Sequence, residues 1–383
     1  MTLTDGQKNA VRQALLWYYS EDRKPVFVCA GVAGSGKSTT VNTLVNTLGL
    51  EPYQVLYVTP TGKAAGVLRM KGCTANTIHK TFYLVHKLNG RVVFSKKKTL
   101  PSTIKLIVID ELSMVNQKIM DDILSYNCPT ICLGDPCQIP AMYGENEFIK
   151  HPDVFLNQVM RQEGTSGILD LATKARNHEH IENGIYKESR VINLNEVTDI
   201  EKYDVVICWK NSTRRELNSL IRKKLGYTSK YPSKGEKLLC LKNNYVHLLE
   251  YKEDIPIILV NGLSLINLEN SKEEGDYLQC EFTPEFMLND ESKFFESRVD
   301  KRVFDSYITG EEIPDTASFN DIPEDVTVLD FGYAMTTHKM QGSSAANVLY
   351  IDEFRGSEDM YWKMLYTGIT RAEKSITIAR TLL

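Results

Sequence analysis

Long apolar runs are what this chain of 383 residues most plainly lacks. None approaches the ~20 residues that a membrane-spanning helix needs, so no membrane association is expected. The opening residues, Met1 to Lys8, are polar and form no signal peptide. Eight cysteines are present, yet no two are spaced as CxxC, which indicates neither a zinc site nor a disulfide framework. Internal repeats, low-complexity tracts and a nuclease constellation are also missing. These absences describe a reduced, soluble, cytoplasmic protein.

What is present is ordinary for a globular chain, with 42% hydrophobic and 25% charged residues. The length fits two or three domains, at ~100–200 residues each. The formal net charge of −4 speaks only weakly against a polyanion partner, because it hides an asymmetry. Between Leu265 and Asp325 there are 17 acidic and 5 basic residues, a net of −12, so the rest of the chain carries +8. A basic body can bind nucleic acid while an acidic insert faces elsewhere. The plainer alternative is that the acidic stretch is a solvated surface.

Short β-rich runs alternate with helical stretches. Pro25 to Ala30, Val55 to Val58, Lys105 to Asp110 and Thr130 to Asp135 read as buried strands, and Ser38 to Leu48 as a helix stopped by Gly49. Continuous apolar strands alternating with helices imply a parallel sheet covered on both faces. The rhythm returns in the strands Val205 to Trp209, Asn347 to Ile351 and Ser375 to Ala379, with helices Ser212 to Leu225 and Asp359 to Tyr366. The fold class is therefore α/β, with two such domains. Two segments break the rhythm. Leu88-Asn89-Gly90-Arg91 signals a hairpin within Phe82–Pro101, and Lys234–Asp325 reads as a small β-rich insert.

Gly31-Val32-Ala33-Gly34-Ser35-Gly36-Lys37-Ser38 fits G-x-x-x-x-G-K-[ST] between a strand and a helix, the context that motif requires. Its glycines let backbone amides wrap phosphate oxygens, and the helix N-terminus favours negative charge there. Gly34, Ser35, Gly36, Lys37, Ser38 and Thr39 are the nucleotide-binding candidates, with Lys37 neutralising the β/γ phosphates and Ser38 holding Mg²⁺. Ile107-Val108-Ile109-Asp110-Glu111 ends an apolar strand in two carboxylates, where α/β sheets bind ligands. Asp110 suits Mg²⁺, and Glu111 suits activation of an attacking water, which hydrolysis needs. Thr4 and Gln7 have capping-box spacing.

The ordered set of motifs resembles the superfamily 1 DNA helicases, and within them the RecD-like branch with its short phage Dda-type members. The resemblance runs from Leu3 to Arg371. Leu3-Thr4-Asp5-Gly6-Gln7 resembles the motif whose glutamine, here Gln7, reads adenine. Thr59-Pro60-Thr61-Gly62-Lys63 and Thr77-Ile78-His79-Lys80 resemble segments that touch single-stranded DNA. Gly134-Asp135-Pro136-Cys137-Gln138-Ile139-Pro140 resembles the sensor in which Gln138 reports the γ-phosphate, with Ala141 replacing the last proline. Val159-Met160-Arg161-Gln162 and Tyr366-Thr367-Gly368-Ile369-Thr370-Arg371 resemble the motifs that carry arginine fingers. Trp209-Lys210-Asn211 and Gly332 to Ser343, with Thr337, His338, Lys339 and Gln341, complete the set.

The resemblance implies two RecA-like P-loop domains. The first spans 1–155 with a hairpin insert at about 82–101; the second spans 156–233 plus 326–383 and holds an SH3-like insert at 234–325. It implies an ATP- and Mg²⁺-dependent helicase that translocates 5′ to 3′ on single-stranded DNA and unwinds partial duplexes. Nucleotide would lie between the two domains, with Arg161 and Arg371 stabilising γ-phosphate charge. Lys63, His79, Asn211, Thr337 and His338, with Thr59, Pro60 and Thr61, would contact DNA; Gln341 would contact nucleotide. Phe94 would be the wedge's stacking residue, with Lys96-Lys97-Lys98 on phosphate. Each assignment has a plainer counterpart: a solvated lysine, a satisfied histidine, an interdomain ion pair, a decorative hairpin. A stand-alone monomer in the cytoplasm (host cytoplasm if phage-encoded) is expected, with single-stranded-DNA-binding or replication proteins as candidate partners. The competing readings are an ATPase that acts on RNA or strips proteins, and an ATP-gated loading module.

Overall fold

In the computed structural model the described residues are 3–70, 72–88, 91–141, 144, 146–159, 166–251, 255–288, 294–310 and 322–381. Arg161 and the hairpin-turn residues Asn89 and Gly90 lie outside them. The chain divides into two compact units. One comprises Met1–His86, Val93–Glu179 and Ser357–Thr367; the other comprises Lys87–Val92, His180–Gly356 and Gly368–Leu383.

Six parallel strands form the sheet of the first unit, in the order Ala75–Thr77, Val55–Thr59, Leu106–Ile109, Thr130–Gly134, Val26–Gly31, Val154–Leu156. Side chains alternate faces along a strand. Phe27 and Cys29 therefore pack with Ala10, Ala14, Val41 and Leu44 from helices Asp5–Tyr19 and Lys37–Thr47. Val26, Val28 and Ala30 pack on the opposite face with Ile78, Phe82, Met120 and Ile123. Both faces are covered, so the strands read as unbroken apolar runs rather than alternating ones. The strands Ala75–Thr77 and Val154–Leu156 are absent from the sequence reading. Each is only three residues long and sits at a sheet edge, where too few positions exist to show a period.

A second six-stranded sheet runs Ala334–Thr336, Val205–Cys208, Ala345–Asp352, Ala372–Arg380, Ser189–Asn193, Gly184–Tyr186. It is parallel except for its last pair. The same unit holds an antiparallel sheet built from Lys237–Cys240, Ser264–Asn267, Tyr277–Pro284, Phe295–Asp300 and Leu329–Phe331, with Val326–Thr327 running parallel at one edge. Leu238, Leu265, Phe282, Phe295, Phe304 and Phe331 from this region share one core with Val206, Cys208 and Ile221 of the parallel part. The Val260-Asn261-Gly262 turn falls between the strands Ile255–Leu259 and Ser264–Asn267, with Gly262 at φ +86°.

Helix Asn211–Lys224 is anchored by a buried charge. Arg214 Nη1 pairs with Asp330 Oδ2, and the two side chains are 3% and 0% exposed. Asp330 Oδ1 also accepts from Tyr307 Oη and from the Phe331 amide, both at 2.8 Å. Such a pair gains little over an apolar one, but losing one partner leaves a bare buried charge and costs ~3–5 kcal/mol. Asp330→Ala is expected to lower unfolding free energy by ~3–5 kcal/mol in urea titrations. Asp330→Leu combined with Arg214→Met should cost clearly less; equal losses would show that packing, not charge, governs this site.

Candidate functional site

The phosphate-binding loop is shaped by what its glycines omit. A Cβ at Gly31 would meet Leu156 O and Ser35 Oγ at 2.7 Å each, and Gly34 and Gly36 hold φ of +79° and +80°. Both angles lie where only glycine is unstrained. Lys37 Nζ donates to Gly31 O at 2.7 Å and Val32 O at 3.2 Å, so its ammonium is folded back over the loop. Ser35 Oγ is buried and has no hydrogen-bond partner among the described residues. Ser38 is half-buried and Thr39 exposed at the start of helix Lys37–Thr47.

Asp110 and Glu111 follow strand Leu106–Ile109 on the same sheet edge. The Glu111 amide donates to Asp110 Oδ1 at 2.9 Å, and Glu111 itself is left-handed, at φ +59°. A non-glycine residue there is uncommon. Asp135, Cys137 and Gln138 follow the neighbouring strand Thr130–Gly134. Asp135 Oδ1 accepts from the Cys137 amide at 3.1 Å, and Asp135 O accepts from the Gln138 amide at 3.2 Å. Gln138 is 5% exposed, and its Oε1 is buried without a hydrogen-bond partner among the described residues. The loop, the carboxylate pair and the glutamine thus share the strands' C-terminal edge, the ligand edge of α/β sheets.

The capping box anticipated at the N-terminus is formed: Gln7 N donates to Thr4 Oγ1 at 3.3 Å and Thr4 N to Gln7 Oε1 at 3.0 Å. Gln7 Nε2 adds a 3.1 Å bond to Ser35 O, tying this buried glutamine to the phosphate loop.

Of the residues expected at DNA, Thr59 is fully buried and donates its hydroxyl to Thr61 O at 2.7 Å. Thr61 Oγ1 in turn accepts from Ala64 N at 3.2 Å, capping helix Gly62–Met70, while Pro60 and Lys63 are half-buried. His79 stacks on Tyr83 with ring centroids 5.4 Å apart and meets Phe94 edge-on at 5.2 Å. Desolvation among these rings holds the His79 pKa below its ordinary value. Phe94 is 49% exposed and His79 is exposed as well, so the cluster presents two open rings.

Two lysines of the following run make contacts within the protein, while Lys96 and Lys98 are exposed. Lys97 Nζ donates to Lys80 O and Thr81 O at 3.0 and 2.8 Å, satisfying carbonyls at the end of helix Ile78–Phe82. Lys96 Nζ lies 5.4 Å from the Tyr126 ring centroid and bonds Ser125. The hairpin pairs strand Tyr83–Leu88 with Arg91–Lys96, and Tyr83 Oη donates at 2.7 Å to Asp122 Oδ2 of helix Gln117–Leu124.

Within the second unit the assigned residues fall on different edges of one sheet. Asn211 is exposed at the first turn of helix Asn211–Lys224, after strand Val205–Cys208; Thr337 and His338 follow strand Ala334–Thr336. Those are C-terminal ends. Thr337 is fully buried and donates to Cys208 O at 3.3 Å. Arg371 lies at the N-terminal end of strand Ala372–Arg380; it is 6% exposed, with Nη1 donating to Ser343 O at 3.2 Å. Gln341 is buried on the path between the two edges. The sequence reading did not find Glu353, whose Oε1 accepts from the Trp209 and Lys210 amides at 2.8 and 2.9 Å and whose Oε2 accepts from Thr213. This cap comes from more than 140 positions away in the chain, beyond any local motif.

A parallel sheet carrying a strand, a glycine-shaped loop with Lys37, and an acidic pair on a nearby strand end defines a P-loop nucleotide-binding protein. The chain belongs to the AAA domain family, whose model matches residues 2–196, just over half its length. A UvrD-like helicase C-terminal domain model matches residues 331–379. An uncharacterized protein of Acanthamoeba polyphaga mimivirus is 26% identical over 267 residues, covering 55% of this chain and 54% of that protein. The ATP-dependent RecD2 DNA helicase of Deinococcus radiodurans is 32% identical over 156 residues, 38% of this chain and 21% of the helicase. The chain thus spans about half the length of the first relative and about a fifth of the second. Bacteroides Pif1 bound to single-stranded DNA shares the fold, with a TM-score of 0.55 at 15% identity over 98% of this chain and 92% of that one.

Next to His338, Lys339 has its amine pushed down to about 8, chiefly by burial and then by the nearby Arg214 charge. Unfolded lysines titrate near ~10.4, so folding expels this proton across the window from about 8 upward. Stability should therefore climb as pH rises from about 8 to 10. Lys339→Met should flatten that climb in urea titrations run at stepped pH; an unchanged slope would refute the assignment.

Proposed function

We propose that this chain is an ATP-driven translocase that moves along single-stranded DNA, 5′ to 3′, and unwinds duplex DNA. The observation that carries the reading is the convergence of Lys37, Asp110, Glu111 and Gln138 on one edge of a parallel sheet, in a chain that carries a second α/β sheet with its own motif set. The likeness to helicases supports DNA as the polymer.

The loop suits a triphosphate: positive-φ glycines, a Gly31 with no room for a side chain, and an unpartnered buried Ser35 hydroxyl make a cradle for an anion. Lys37 would leave the loop carbonyls for the β/γ phosphates. Ser38 and Asp110 would hold Mg²⁺, which supplies charge neutralisation at the phosphates when bound. Glu111 would accept the proton of the attacking water. Gln138 would sense the γ-phosphate through its Nε2 donor. Arg161 and Arg371 are assigned to transition-state charge by motif, and Gln7, Gly34, Gly36, Thr39 and Gln341 to nucleotide contact.

On the DNA side, His79, Phe94, Lys63, Asn211 and His338 are the proposed contacts, with Pro60 and Thr61 shaping the loop beside Lys63. Thr59 and Thr337 serve that surface from beneath, through the turn and strand end they brace. We assign the first domain to 1–155 with the hairpin as wedge, the second to 156–233 plus 326–383, and an SH3-like module to 234–325. The motor works as a monomer wherever single-stranded DNA is exposed in the cytoplasm, with single-stranded-DNA-binding or replication proteins beside it.

Partial duplexes with a 5′ or a 3′ tail, in DNA and in RNA, test this directly. DNA with a 5′ tail should be unwound in the presence of ATP, and Glu111→Gln should bind ATP but turn over ~10²–10⁴-fold more slowly. Unwinding from 3′ tails only would reverse the polarity, and preference for RNA would select the competing reading. Phe94→Ala removes a stacking surface worth ~1–3 kcal/mol per base. It should slow unwinding ~5-fold or more while leaving DNA-stimulated ATPase within ~2-fold; equal losses in both assays would remove the wedge role.

A further inference from the structure

Tyr366 has no role so far beyond membership of a motif, yet it lies in the segment Ser357–Thr367 that clusters with the first compact unit, and its hydroxyl is held twice there. The side chain is 2% exposed. Its Oη donates to Asp135 Oδ2 at 2.7 Å and accepts from the Ala33 amide at 3.2 Å. Ala33 lies in the phosphate loop, and Asp135 heads the loop that carries Gln138. The adjacent Thr367 Oγ1 accepts from the Ile139 amide at 3.0 Å, one residue past Gln138. Two consecutive side chains thus grip the glutamine loop, and one of them also grips the phosphate loop.

The chemistry fixes the direction of this bridge. Burial raises the phenol well above its ordinary pKa, and the Asp135 carboxylate reinforces the shift, so the oxygen stays protonated and donates. A bond from a neutral hydroxyl to a buried carboxylate is among the stronger kinds. Asp135 in turn fixes the backbone of Cys137 and Gln138 through Oδ1 and its own carbonyl. The Ala33 amide is therefore linked to Gln138 through one oxygen and one aspartate. A tyrosine kept only for its ring would leave the hydroxyl to water or to a single local carbonyl. Here both its proton and its lone pair are spent on two separate motif segments.

We propose that Tyr366 is a positioning residue for ATP hydrolysis: its hydroxyl bridges the Ala33 amide and the Asp135 carboxylate and so sets Gln138 against the phosphate loop. The proposal rests on the ATPase reading above. Tyr366→Phe keeps the ring and deletes the bridge. In the 383-residue chain with saturating single-stranded DNA, it should lower kcat for ATP ~10-fold and leave KM and nucleotide-free DNA affinity within ~2-fold, since the hydroxyl acts on the geometry of the reacting state rather than on binding. Asp135→Asn should also lower kcat, and the double variant should be no slower than the slower single one, the non-additivity expected of groups acting in one bridge. If Tyr366→Phe fails to fold, Asp135→Asn carries the same test: a kcat fall at constant KM supports the bridge, and an unchanged kcat overturns it. Wild-type kcat in Tyr366→Phe, or losses that multiply in the double variant, would overturn this proposal alone. A wild-type chain with no DNA-stimulated ATPase would overturn the functional reading and this one together.

Discussion

Close approach of backbone to backbone at Gly31 is the constraint on which the nucleotide site depends. The carbonyl of Leu156 and the hydroxyl of Ser35 occupy the space where any side chain at position 31 would begin. That contact exists because strand Val154–Leu156 pairs directly with Val26–Gly31, the strand that launches the loop. An edge strand of three residues therefore shapes the phosphate cradle as firmly as the loop's own glycines. Gln7 reaches the same loop from another side through Ser35 O, so helix Asp5–Tyr19 is joined to it as well.

The parallel sheet does the remaining placement. Strands covered on both faces admit no side-chain chemistry along their length, so polar groups gather where the strands end. The first sheet delivers Lys37, Asp110, Glu111 and Gln138 to a common edge. The second sheet divides its cargo: Asn211, Thr337 and His338 follow strand ends, whereas Arg371 precedes a strand start and bonds Ser343 on the same side. One sheet thus presents its polar groups at two separate borders.

How much of this was legible in the sequence follows from the range over which each signal acts. The phosphate loop, the acidic pair, the capping box at Thr4 and Gln7 and the long apolar strands are local patterns, and all were readable. The edge strands Ala75–Thr77 and Val154–Leu156 were not, because three residues carry no period. The contacts of Lys96 and Lys97 with Tyr126, Ser125 and the helix-end carbonyls of Lys80 and Thr81 were not legible, because they join segments far apart in the chain. Burial of Thr59 and Thr337 was likewise invisible, since a hydroxyl beside a strand end reads the same whether it faces a ligand or the next turn. Glu353 and the Tyr366 bridge join segments that only the tertiary fold brings together, and no spacing rule reaches that far.

The hairpin's attachment has a mechanical corollary. Lys97 fastens one strand to the end of helix Ile78–Phe82, Tyr83 fastens the other to Asp122, and Tyr126 clasps the Lys97 carbonyl at 2.6 Å. Both strands of the ribbon are thus bonded at its root to the helix Ile78–Phe82, which carries His79, or to the neighbouring helix, so ribbon and aromatic cluster share their fixings.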